Sequence, residues 1–256
     1  MHYVYEVAKK NIKRINCIGY LHGGLFPDQL GVKRAKWSQF NPDIILTCGE
    51  NSYNLLVGYY AQSNTKIFNI GSNRNLDRSN YEKNDFFKND SFLVLPDGST
   101  NEFKKIMLFL NLCIEYRADL RFYVKLHPNM NINQIKKKFN FLNNSNIIFS
   151  TDSIENLSKE CVFVLYRGST AIVEAISFGI LPIFLNDLGN SNLDFIKSLN
   201  NFDRSIKDPN GLFKTIDEYK SCKRINKIVN ENKNFAGSIY STLKFEDFYK
   251  ILNFKL

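Results

Sequence analysis

The stretch Phe163-Val164-Leu165-Tyr166-Arg167-Gly168-Ser169-Thr170-Ala171-Ile172-Val173-Glu174-Ala175-Ile176-Ser177-Phe178-Gly179-Ile180-Leu181-Pro182-Ile183-Phe184-Leu185 reads as strand, polar turn, helix and next strand. Its hydrogen-bonding residues gather at the turn. Apolar residues run up to Arg167-Gly168-Ser169-Thr170, and the first N–H groups of the following helix would point back over the strand end, where a phosphate fits. Ser169 or Thr170 can cap that helix or donate to a ligand, Arg167 can pair with its charge, and Glu174 follows one turn later on nearly the same face. Gly-Ser-Thr after a buried strand also serves merely to cap a helix. An arginine at the carboxyl end of an apolar strand, however, places charge where an open parallel sheet leaves its ligand crevice.

The same rhythm extends in both directions. Upstream, Ile15 to Tyr20 leads into His22-Gly23-Gly24, Asp43 to Cys48 into Gly49-Glu50, and Lys66 to Ile70 into Gly71-Ser72. Residues 73–90 are polar and poor in aliphatics, as a linker would be. Beyond them come a strand at 91–96, a helix over about 101–116 and a strand at 121–126 ending at His127-Pro128. A helix over 131–141, a strand at 146–149, a short helix at 153–159 and a strand at 161–165 complete the approach to the opening stretch, and helices follow from about Pro209. Strands alternating with helices predict an α/β fold with parallel sheets. The division expected is a partial amino-terminal Rossmann-like domain over 1–88 and a second over 89–256.

The 256 residues are 44% hydrophobic, enough for substantial cores, and carry a formal charge of +9, which favours an acidic partner such as a nucleotide, an anionic sugar or a membrane surface. The lysines are scattered apart from Lys136-Lys137-Lys138, which suits a solvated helix face better than a nucleic-acid patch. Five well-separated cysteines, Cys17, Cys48, Cys113, Cys161 and Cys222, sit mostly in apolar runs and read as reduced core residues of a cytoplasmic protein. They make no zinc pattern, no metal is called for, and neither a signal peptide nor a spanning segment is visible.

Polar clusters at the expected strand ends carry the chemistry. In a parallel sheet these ends share one rim, so residues distant in sequence converge on one ligand. His22 with Gly23 and Gly24 forms one cluster, and Asp97-Gly98-Ser99 with Glu102 another. Lys125 with His127 and Arg167 to Thr170 with Glu174 form two more. Imidazoles at such turns can contact a phosphate or hand a proton to a leaving oxygen, and Gly23 and Gly24 permit close backbone approach or positive φ. Asp97 is the better candidate base, because Ser99-Thr100-Asn101-Glu102 also reads as a capping box. A dinucleotide-type glycine fingerprint and a Walker loop are both missing.

Taken together, Leu95-Pro96-Asp97-Gly98 with Glu102, Lys125-Leu126-His127-Pro128, and Leu165 to Ala171 with Glu174-Ala175, Gly179 and Pro182-Ile183 resemble the carboxyl-terminal half of GT-B-type glycosyltransferases of bacterial surface polysaccharide synthesis. These are the capsule and lipopolysaccharide enzymes, with a more distant likeness to polysialyltransferases. His22-Gly23-Gly24, Trp37, Pro42-Asp43 and Gly49-Glu50 are similar to the end of their amino-terminal domain. The resemblance implies two Rossmann-like units, the first incomplete, and transfer of an acidic sugar, from a CMP rather than a UDP donor, to a glycan or lipid-linked acceptor. It implies that His127 binds phosphate and assists departure of the nucleotide, that Ser169 and Thr170 bind phosphate, and that Glu174 holds the ribose. Asp97 or His22 would act on the acceptor, with Lys125, Arg167 and Gly168 on the donor side and His22, Gly23, Gly24 and Glu50 on the acceptor side. No cofactor is implied beyond the nucleotide sugar, and nucleic acid is not expected. A basic surface at the inner membrane face and a second copy or partner chain are. Rival expectations are an inactive assembly subunit and a nucleotide-sugar epimerase or hydrolase of the same shape.

Overall fold

Apolar runs that end in glycine and polar residues become parallel strands, as the alternation predicts. The structure, a computed structural model, describes residues 16–25, 41–74, 76, 87, 90–138, 144–186 and 193–252. Trp37, most of the 73–90 linker and the side chains of Lys136 and Lys138 lie outside the described residues, and Lys137 is exposed.

Two units divide the chain: Met1–Asp77 with Asn234–Leu256, and Arg78–Lys233. In the first, β1 (Ile18–Leu21), β2 (Ile44–Thr47) and β3 (Lys66–Asn69) pair in parallel in that order, and α1 (Glu50–Tyr60) follows β2. The carboxyl-terminal residues belong to this unit, whereas the sequence expectation kept everything after residue 88 together. Their attachment is a set of backbone bonds no hydropathy pattern encodes. Ser241 N–H donates to Cys48 O (3.1 Å), Ser72 N–H to Ser241 O (2.9 Å) and Lys244 N–H to Ile70 O (2.8 Å).

That attachment explains a glycine. A Cβ on Gly49 would stand 2.2 Å from the Ile239 carbonyl oxygen, so only glycine admits the returning chain there. Gly49→Ala is expected to destabilise the first unit by about 2–3 kcal/mol in chemical denaturation. Gly58→Ala, in the interior of α1 with no atom within 4 Å of its Cβ, is expected to stabilise it by roughly 0.5–1 kcal/mol. Equal effects at the two positions would contradict the packing argument.

The second unit holds β4 (Ser91–Pro96), α2 (Thr100–Tyr116), β5 (Arg121–Val124), α3 (Ile132–Lys138), β6 (Ile147–Phe149), α4 (Ile154–Ser158), β7 (Phe163–Arg167), α5 (Ile172–Ser177), β8 (Leu181–Leu185), β9 (Ser205–Ile206) and α6 (Pro209–Ser221). Helix α7 (Ile225–Ile239) runs from the second stretch of chain into the first, and α8 (Phe245–Leu252) follows. The sheet order is β6-β5-β4-β7-β8-β9, with every pairing parallel. Renumbered within the unit this is 3-2-1-4-5-6, the doubly wound order of Rossmann-type sheets. Every residue of β4, β7 and β8 is buried, as expected of strands covered on both faces. Phe103, Ile106, Met107, Leu110 and Cys113 form the buried stripe of α2 and pack with Phe92, Phe122 and Phe163 of the sheet. Cys17, Cys48, Cys113 and Cys161 are buried, Cys222 is half-buried, and none of the five is in a disulfide. Among the described residues no helix is long and apolar enough to cross a membrane.

Candidate functional site

The order in which strands are added reverses between β4 and β7, and that is where a doubly wound sheet opens its crevice. The two strands are paired up to Pro96↔Arg167, so Asp97-Gly98-Ser99 and Gly168-Ser169-Thr170 leave the sheet side by side. The expected convergence of these clusters with His127 is observed. A Cβ on Gly168 would stand 3.2 Å from Asp97 Oδ2, and one on Gly98 would stand 3.1 Å from His127 Nδ1. Asp97, His127 and the Gly168 turn therefore form one wall, kept open by two residues without side chains. Gly168 also has φ of 70°, a conformation that favours glycine.

Each polar group at this wall has a definable state. Asn129 N–H donates to His127 Nδ1 (3.2 Å), so in the neutral ring Nε2 carries the proton. Asp97 Oδ1 accepts from Ser99 N–H (2.8 Å). Burial raises the Asp97 carboxyl above its ordinary value, assisted by the charge of Glu102, and the Ser99 N–H, His127 and Arg167 offset this only in part. Ser169 is buried and Thr170 exposed, and neither hydroxyl makes a hydrogen bond among the described residues. They do not cap the helix: α5 begins after Ala171 with no side-chain cap. Glu174 lies half-buried in its first turn.

Arg167 differs from expectation. It is the last residue of β7, 1% exposed, and its guanidinium donates to Glu102 Oε2 and to the Leu185 carbonyl (2.9 Å). So buried and so engaged, it is a strut between α2 and β8, unlike the ligand-facing cation the sequence suggested. Glu102 accordingly forms half of the anticipated capping box. Its N–H donates to Ser99 Oγ (3.5 Å), but its carboxylate faces Arg167 and Lys105 (3.0 Å), while Ser99 N–H goes to Asp97. Burial opposes the charge on Glu102, yet these two cations outweigh it and hold the carboxyl below its ordinary value.

Lys125 also differs. Its ammonium donates to the Asp152 carbonyl (2.6 Å), beyond β6 and on the side of β5 away from β4. The N–H of Gly168 donates to Leu193 O (3.1 Å), so that amide is already engaged.

The residues expected on the acceptor side, His22, Gly23, Gly24 and Glu50, belong to the first unit. His22 is exposed just after β1, and Gly24 N–H donates to Tyr240 Oη (3.5 Å). Among the described residues the glycines at positive φ are Gly71, Gly168 and Gly179, and neither Gly23 nor Gly24 is one of them. Glu50 is the exposed first residue of α1, where a carboxylate complements the helix dipole.

Sequence reasoning passed over Tyr240, which accepts from Gly24 N–H and from Arg74, and the buried set Tyr166, Asp194 and Arg204 next to the Gly168 turn. The available signal was weak: Asp194 sits between Leu193 and Phe195-Ile196, and Arg204 follows Phe202-Asp203 in an otherwise polar stretch. Among the described residues no group of His, Cys, Asp and Glu could hold a metal ion.

No protein-family model and no curated protein matches the chain. Solved structures do share its shape. Anabaena HepE in complex with UDP and glucose aligns with a TM-score of 0.56 at 12% identity, over 94% of this chain and 72% of that one. The S. aureus MnaA–UDP co-structure aligns at 0.54 and 13%, over 98% and 77%. The GtfA/B complex aligns at 0.56 and 11%, over 98% of this chain and 54% of that one. The chain thus has an α/β, GT-B-like fold of parallel sheets.

Proposed function

We propose that the second unit binds the nucleotide of a sugar nucleotide at the ends of β4, β5 and β7, and that the protein is a glycosyltransferase acting on a surface-glycan precursor. The observation that carries this reading is the convergence of Asp97, His127, Gly168, Ser169 and Thr170 at the switch point of the sheet. The hydroxyls of Ser169 and Thr170 and the Nε2–H of His127 would donate to a phosphate and stabilise charge growing on the leaving nucleotide. Asp97, with its raised carboxyl, would take the proton of the acceptor hydroxyl.

Two structures of the same fold hold UDP, one of them with glucose besides, which favours a uridine nucleotide over the CMP donor first expected. Titration calorimetry against UDP, CMP and GDP tests the reading. UDP is expected to bind, with His127→Ala weakening it about tenfold or more, the effect of one lost charge-assisted bond. Binding of none of the three, or binding indifferent to His127→Ala, would contradict the proposal. Product formed from donor alone, with no acceptor, would identify an epimerase or hydrolase instead.

A further inference from the structure

Behind the Gly168 turn lies a buried polar cluster that none of the chemistry above employs. Tyr166 is fully buried, Asp194 is 8% exposed and Arg204 5% exposed. The Tyr166 hydroxyl donates to Asp194 Oδ1 (2.5 Å), which also accepts from Ile196 N–H (3.1 Å). Arg204 Nη2 reaches Asp194 Oδ2 (3.4 Å) and the Ile196 carbonyl, Nη1 the Leu199 carbonyl (2.6 Å), and Nε the Tyr166 oxygen (3.4 Å). Burial pushes the phenol well above its ordinary value, so Tyr166 remains a donor at any working pH.

The cluster's place in the chain gives it meaning. Tyr166 is two residues before Gly168, and Asp194 directly follows Leu193, whose carbonyl receives Gly168 N–H. Arg204 is tied in turn to β8, because Phe184 N–H donates to its carbonyl (2.8 Å). Asp194 is thus held from two sides, and the peptide it shares with Leu193 holds the peptide that opens the turn.

We infer that Tyr166, Asp194 and Arg204 are positioning residues: they fix the Leu193 carbonyl against Gly168 N–H and so set the turn that presents the Ser169 and Thr170 hydroxyls. The functional consequence rests on the nucleotide-site reading above, while the effect on the turn does not. Apolar residues of equal volume could fill such a space at similar stability, but they could not aim a single carbonyl.

Tyr166→Phe keeps the ring, which packs 5.5 Å from Phe184, and removes only the hydroxyl. Tyr219→Phe is the control, since it removes another buried phenol whose bond goes to the Pro182 carbonyl (2.9 Å), at the opposite end of β8. Both variants are compared by amide exchange of the 166–171 peptide in the ligand-free protein and by UDP affinity, at a temperature where both are folded. Tyr166→Phe is expected to speed exchange at Gly168 about tenfold and to weaken UDP by a similar factor, with Tyr219→Phe leaving both unchanged. Equal acceleration in both variants, or none in either, overturns the inference. So does unchanged UDP affinity in Tyr166→Phe when the wild type binds. If the wild type binds no nucleotide, the nucleotide-site reading fails and the exchange comparison alone decides whether the cluster sets the turn.

Discussion

Arg167→Met is expected to lower the stability of the second unit by about 3 kcal/mol, the cost of leaving one member of a largely buried ion pair without its partner. Arg167 is 1% exposed, and two of its contacts vanish at once, to Glu102 and to the Leu185 carbonyl. Glu102 keeps Lys105 and some contact with solvent, which places the expected cost at the lower end for such pairs. Adding Glu102→Leu to Arg167→Met is expected to restore part of the loss in urea unfolding, because the orphaned charge is then gone. The pH dependence has a definite sign. The Glu102 carboxyl lies below its ordinary 4.5 in the folded chain, so the stability it contributes is complete above that value and is lost as pH falls through the lower folded one. Arg167→Met should flatten that part of the stability profile. An unchanged acid limb, or a loss below about 1 kcal/mol, would mean that the pair is not structural.

The same arginine shows where reading the sequence stops. Its charge is evident from the chain, as is its place at the end of an apolar strand, but its partner depends on parallel register. Pairing Arg167 with Pro96 sets it beside the start of α2, where Glu102 waits. No local pattern encodes that pairing. Lys125 meets the Asp152 carbonyl for a related reason, since which neighbour a strand-end lysine leans toward follows from strand order. What was legible is what local physics controls. The stripe of α2 follows from the spacing of Phe103, Ile106, Met107 and Leu110, and its start from Ser99. The Asp97, His127 and Gly168 convergence was legible because parallel strands put all their turns on one rim. The return of residues 234–256 to the first unit was not, because it rests on backbone bonds between segments far apart in sequence.

Asp97→Asn is expected to lower transfer by about two to four orders of magnitude, the range associated with loss of a general base, while leaving UDP affinity within about threefold. Asparagine preserves the shape and the acceptor for Ser99 N–H, so the turn should survive. The wild-type rate should fall as pH drops through the Asp97 value, which burial and Glu102 place above the ordinary 3.8. Glu102→Gln removes a neighbouring negative charge and frees Arg167 to act on Asp97. Both changes favour the Asp97 carboxylate, so the acid limb of the rate should move to lower pH. A limb that moves upward, or one that persists in Asp97→Asn, would place the base elsewhere, with His22 of the first unit the next residue to test. Loss of UDP affinity in Asp97→Asn equal to the loss of rate would instead make Asp97 a residue of the donor wall, because an effect confined to binding removes no interaction made only in the transition state.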